Sequence, residues 1–215
     1  MVYNPLAIDD LVRSAHRHLT IEDECYYVMV YTSRSGWAYS DENNLISNLK
    51  KKMDKKGTSQ WPHKERAIQT LGQIFQNTLP LIIDFETTTI VPIPPSKSKT
   101  DPLYDTRLNQ ILDLATKNKK VDIRNLIAVN ESVEATHTLE EAGKRRPTVA
   151  EIKENYSFDD TLVPNLKPII MLFDDVLTTG AHYIACKEVI QAGFPDAEIY
   201  GLFIARRELP PENFE

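Results

Sequence analysis

The stretch PIIMLFDDVLTTGAHYIACKEVI, residues 168–190, decides the fold. It opens on five consecutive apolar residues, 169–173, with no polar alternation. A strand covered on one face alternates, whereas a strand covered on both faces, as in the parallel sheets of α/β proteins, does not. This is therefore a central strand. Beyond the turn, Ala181, Ile184, Ala185, Val189 and Ile190 recur at helical spacing, and Gly193 followed by Pro195 stops the pattern. The order is strand, loop, helix. In such sheets ligands bind outside the carboxyl ends of the strands, where a helix N-terminus offers unpaired N–H groups and partial positive charge to an anion. Thr178 and Thr179 add hydroxyl donors to the loop, and Gly180 lets the backbone approach closely. A phosphate alone would be repelled by Asp174 and Asp175. The ligand must therefore also present hydroxyls or a bound cation, which a phosphorylated sugar with Mg²⁺ does.

The glycines exclude competing phosphate motifs. There are seven, at 36, 57, 72, 143, 180, 193 and 201, and the nearest two are eight apart. Neither the dinucleotide fingerprint G-x-G-x-x-G nor the NTPase loop G-x-x-x-x-G-K-[ST] fits that spacing.

Taken with these residues, MLFDDVLTTGA resembles the phosphoribosyl pyrophosphate (PRPP) motif of the type I phosphoribosyltransferases: apolar residues, two acids, an apolar or small pair, then T-T-G-[AS]. The resemblance implies a type I phosphoribosyltransferase-like parallel sheet flanked by helices. It also implies that Asp174 and Asp175 hold the ribose and a Mg²⁺ ion, and that Leu177, Thr178, Thr179, Gly180 and Ala181 wrap the 5′-phosphate. IVPIPPSKS followed by TRLNQILDLA is similar to the competence protein F-like branch of that family, in which V-P-x-P-x-S opens the pyrophosphate loop; LFIARR resembles its closing strand. Two features depart from the branch. Its cysteine-rich zinc module is absent, and an Arg-x-x-Asn segment appears here as IKEN, with Ile152 where the arginine would stand.

The pyrophosphate loop also has a physical case of its own. A leaving pyrophosphate develops negative charge, which preorganised N–H groups, cations and Mg²⁺ stabilise. Ser96, Lys97, Ser98 and Lys99 supply such groups just after a strand that breaks at its prolines, and Lys144, Arg145 and Arg146 form a second basic cluster. Arg107 is read either as a further anion contact or as an exposed helix residue.

The rest of the chain is consistent with an α/β domain. ECYYVMVYT reads as a strand, NNLISNLKKKMDKK as a helix ending near Gly57, and a second helix follows from Pro62 to about Thr78. The lysines at 50, 51, 52, 55 and 56 read as solvated helix surface, His16 and His18 as surface histidines, and His182 as solvent-facing. DTRLNQILDLATKNKK gives a helix, NLIAV a short strand, and AEIYGLFIARR the closing strand. Residues 130–155 are polar without an apolar period and read mainly as a loop. The resemblance implies an organisation into an N-terminal α+β hood, 1–80, and a core, 81–215, with a flexible loop at about 130–157 that in this family closes over the site.

At 215 residues and 41% apolar, the chain is long enough for one good core. No run of about 18 apolar residues and no basic-then-apolar leader is present, so a cytoplasmic protein with no membrane partner is expected. Cys25 and Cys186 lie far apart with no C-x-x-C, which indicates neither a disulfide framework nor zinc. A net charge of −6 argues against indiscriminate nucleic-acid coating and leaves local contacts open.

The expectation is therefore a Mg²⁺-dependent phosphoribosyltransferase that joins PRPP to a nitrogenous base or related acceptor and releases pyrophosphate. A homodimer or a protein assembly partner is left open. The alternative is a catalytically reduced PRPP- or nucleotide-binding module in a regulatory or defence assembly.

Overall fold

The computed structural model describes residues 3–134 and 145–211. The fold is a mixed α/β one with a largely parallel central sheet flanked by helices. The strands are β1 (Leu6–Ala7), β2 (Cys25–Thr32), β3 (Thr88–Pro92), β4 (Asp122–Ile123), β7 (Ile169–Leu177) and β8 (Glu198–Glu208), in the order β1-β2-β8-β7-β3-β4. Every pairing is parallel except that of β1 with β2. The strand expected to be central is so: β7 lies between β8 and β3, with Phe173 opposite both Leu202 and Pro92.

The unbroken apolar run follows from that position, because successive side chains of a strand point to opposite faces. Met171 and Phe173 pack into a cluster with Phe75 and Leu71, while Ile170 and Leu172 pack with Ala185, Cys186 and Ile190. Helices α2 (Asp41–Leu49), α3 (Trp61–Thr78) and α4 (Arg107–Ala115) cover the first face. Helices α5 (Val149–Glu154) and α6 (Ala181–Gly193) cover the second; a single turn, α1 (Asp10–Arg13), precedes β2. Phe75 meets Phe173 edge to face at 5.0 Å. Each such fully buried side chain contributes about 1.5–3 kcal/mol. Strand β2 and helix α3, both from the first 80 residues, share this core with the rest of the chain.

The short strand expected in NLIAV is present as β5 (Ile127–Val129), which pairs antiparallel with β6 (Tyr156–Phe158) in a two-stranded ribbon outside the main sheet. Two local readings are corrected. The stretch expected to be mainly loop ends in α5. That helix starts on a capping box in which the Thr148 side chain accepts from Glu151 N and Glu151 reaches back to Thr148 N. The expected loop residues 135–144, including Gly143 and Lys144, lie outside the described residues. Finally, the helix expected to run to Gly57 stops at Leu49, followed by a single 3₁₀ turn at Met53–Lys55. Its final carbonyl, Leu49 O, accepts from the buried Lys64 Nζ, which also donates to Lys51 O just beyond the helix, while Ile46 O and Asn48 O accept from the Lys50 N–H. Among the described residues no helix is long and apolar enough to cross a membrane.

Candidate active site

The turn between β7 and α6 is held from behind by the N-terminal segment. His16 Nδ1–H donates to Thr178 O, and His18 N donates to Thr179 O at 3.0 Å. Gly180 takes φ +84°, and a Cβ there would lie 2.9 Å from Leu19 Cδ2. The glycine thus serves both a left-handed backbone and a close approach to residue 19. No side chain caps the first turn of α6, which leaves its leading N–H groups to another acceptor. His16, expected at the surface, is fully buried, and burial lowers its pKa. Its partner Thr178 lies 162 positions away, so no local spacing signals the contact.

The two acids differ sharply. Asp175 is 4% exposed; it accepts from Lys50 Nζ at 3.3 Å on one oxygen and from Arg107 Nε at 3.0 Å on the other. Burial alone would raise its pKa, but Lys50 and Arg107 outweigh that and hold the carboxyl well below the usual range. Arg107 is therefore not an exposed helix residue. Its Nη1 also donates to Asp105 Oδ2 at 2.7 Å, and the two acids keep the guanidinium charged against desolvation. Lys50, expected among solvated lysines, is here an ion-pair partner of a buried acid. Among the described residues no cation lies within bonding distance of Asp174, which accepts from Asp175 N at 2.7 Å. Burial first, and then the neighbouring Asp175 charge, push its pKa up.

Both acids line a cavity of about 1160 Å³ at the carboxyl end of the sheet. Of the residues expected in the site, Ser96, Lys97, Arg145, Arg146 and Thr178 line it as well. Leu177, Thr179 and Ala181 are buried in the turn and its packing, as is Gly180, so their part is to shape the loop. Ser98 does not line the cavity, and its N–H donates to Ser132 Oγ at 3.0 Å. Arg145 is engaged by Glu151 through both terminal nitrogens, at 2.9 and 2.6 Å. Ile152 is buried yet also borders the cavity, so its position presents an apolar group there.

His182 is a residue that sequence reasoning misplaced. It lines the cavity, and its Nδ1 is hydrogen-bonded to the Tyr156 hydroxyl at 2.8 Å. Burial chiefly pushes its pKa down to about 4, so the ring is neutral, and the bond to Tyr156 selects one of its two neutral tautomers. Replacing Tyr156 by phenylalanine should free Nδ1 and let the two neutral tautomers mix. Nitrogen chemical shifts of the ring report this directly; an unchanged single tautomer would mean that Tyr156 does not set it.

Among the described residues no group of three or more His, Cys, Asp or Glu could hold a metal. Mg²⁺ commonly uses one or two carboxylates and takes its other ligands from water and substrate phosphates. Asp174 suits that role, whereas both Asp175 oxygens already face cations. Comparison of the chain with protein-family models finds no match, and comparison with curated proteins finds none either.

Proposed function

We propose that the chain binds PRPP and acts as a Mg²⁺-dependent phosphoribosyltransferase, with the type I arrangement of sheet and helices and with the first 80 residues as the hood that selects the acceptor. One observation carries this reading. Asp174, a carboxylate with no cation bonded to it among the described residues, and the T-T-G turn at an uncapped helix start adjoin one cavity that also holds Lys97 and Arg146. Hydroxyl-binding and anion-binding groups then face a single ligand. In this reading Asp174 accepts from ribose hydroxyls, and the turn carrying Thr178, Thr179 and Gly180 holds the 5′-phosphate on the α6 N–H groups. Lys97, with Arg145 and Arg146, neutralises pyrophosphate. Asp174 would hold Mg²⁺, which when bound would supply positive charge to offset the negative charge developing on the leaving pyrophosphate. The acceptor nitrogen bonds to the anomeric carbon as the bond to the pyrophosphate oxygen breaks, and the protein contributes position and charge rather than a covalent nucleophile.

A second reading is a binding module with reduced catalysis. It draws support from Asp175, which Lys50 and Arg107 already neutralise, and from Ile152 in place of the family's arginine. Calorimetry with PRPP and Mg²⁺, joined to a pyrophosphate-release assay over a panel of nitrogenous bases, separates the two. Binding with release is expected. Binding without release for every base favours the module, and no binding removes both.

A further inference from the structure

Lys64 is 1% exposed, on the face of α3 that also buries Ala67, Ile68 and Leu71. A lysine so placed loses its hydration and ordinarily persists only when its donors are all satisfied. Here they are. Nζ donates to Leu49 O at 2.7 Å, to Lys51 O at 2.8 Å and to Asp105 Oδ2 at 2.7 Å.

What these acceptors have in common is Asp175. Leu49 and Lys51 flank Lys50, so the ammonium grips the main chain on both sides of the residue whose Nζ reaches Asp175 Oδ1. Asp105 is the carboxylate that also takes Arg107 Nη1, while Arg107 Nε and Nη2 reach Asp175 Oδ2. A single buried charge therefore anchors both cations on Asp175, one through its backbone and the other through a bridging acid. Packing alone does not call for a lysine. A well-packed apolar side chain in place of a buried ion pair is often neutral or stabilising, and the neighbouring positions of this face are apolar.

We propose that Lys64 is a positioning residue for the candidate active site: it sets Lys50 and Arg107 so that Asp175 stays paired and Asp174 is left as the carboxylate that meets the ligand. The inference rests on the functional reading above for the ligand, and on the observed bonds alone for the positioning. Its residues come from the first 80 positions, 50 and 64, and from 105 and 107, which gives the N-terminal part of the chain a role at the floor of the cavity.

The test is Lys64→Met in the full chain, read by the Arg107 Nε–H resonance in nitrogen-edited NMR. In the wild type this proton is held by Asp175, so slow exchange is the expected result. In the variant its exchange should rise by about tenfold or more, while the amides of Leu71 and Phe75 stay protected. Lys64→Met leaves Asp105 short of a cation, so Lys64→Met with Asp105→Asn is measured beside it. That double variant removes the stranded charge and should show the same faster Arg107 exchange. An unchanged Arg107 resonance in either folded variant overturns the proposal. So does unfolding of both, which would make Lys64 a group of the fold with no separable effect on the site. Calorimetry with PRPP and Mg²⁺ then addresses the ligand: affinity should fall about tenfold in the folded variants. A wild type that does not bind PRPP removes the functional reading, while the Arg107 resonance still judges the positioning.

Discussion

Replacing Asp174 by asparagine is expected to weaken Mg²⁺-dependent PRPP binding roughly 100-fold, from two hydrogen bonds to a charged acceptor at about 1.5 kcal/mol each. The fold should not suffer. Asparagine keeps an oxygen for Asp175 N, and among the described residues Asp174 has no cation to strand. The pH dependence has a definite sign. Burial and the Asp175 charge raise the Asp174 pKa in the folded chain, so its contribution to stability is present below the unfolded pKa of about 3.9 and is lost as pH rises through the raised folded value. The variant lacks that loss. At about pH 8 it should melt no lower than the wild type, and relative to the wild type it should fare worse toward about pH 4. Asp175 has the opposite sign. Its carboxyl is depressed, so the stability it brings is present above the unfolded pKa and is lost as pH falls through the folded one. Asp175→Asn should therefore lower the melting temperature at neutral pH, because Arg107 and Lys50 lose their shared acceptor. Unchanged PRPP affinity in folded Asp174→Asn would sink the assignment of that carboxylate, and equal melting curves for the two single variants would sink the asymmetry of the pair.

That asymmetry marks the limit of what the sequence could say. The strand-turn-helix at residues 168–190 was legible because everything that defines it is local: an apolar run, two acids, a turn with one glycine, then helical spacing. The α5 capping box was equally local, since Thr148 and Glu151 stand three apart ahead of an apolar residue, yet the polar surroundings drew the reading toward loop. Other features had no local trace. Asp175 meets Lys50 from 125 positions away and Arg107 from 68, and Lys64 meets Asp105 from 41. The run Lys50, Lys51 and Lys52 has good helix formers, so propensity extended α2. The chain leaves the helix there with Leu49 O and Lys51 O both turned to Lys64 Nζ, a contact that no local spacing signals. His16 and His182 read as surface residues for the same reason, as their burial depends on the turn and on Tyr156. Strand β5 was legible as a short strand, but its composition names no partner; the fold pairs it with β6 outside the main sheet.

Gly180→Val is expected to destabilise the chain by about 2–4 kcal/mol, the sum of a β-branched residue forced into left-handed backbone and of overpacking against a neighbour. The melting temperature should fall by about 10 °C for a chain of this size. Both contributions are visible in the geometry. The backbone sits at φ +84°, and an added Cβ would meet Leu19 Cδ2 at 2.9 Å and Cγ at 3.0 Å. They can be separated. Leu19→Ala clears the space beside residue 180, so Gly180→Ala in that background should retain the backbone penalty and lose most of the contact penalty. Binding of ribose 5-phosphate should weaken severely in Gly180→Val. The turn that carries Thr178 and Thr179 cannot shift away from Leu19 without disturbing the bonds from His16 and His18 that fix its carbonyls. The same displacement would move the uncapped N–H groups at the start of α6, to which the phosphate is assigned. Comparing the variants makes the outcome decisive for the ligand as well as for the fold. If Gly180→Val melts lower but binds ribose 5-phosphate as tightly as the wild type, the turn is a structural hinge on residue 19 and the phosphate lies elsewhere.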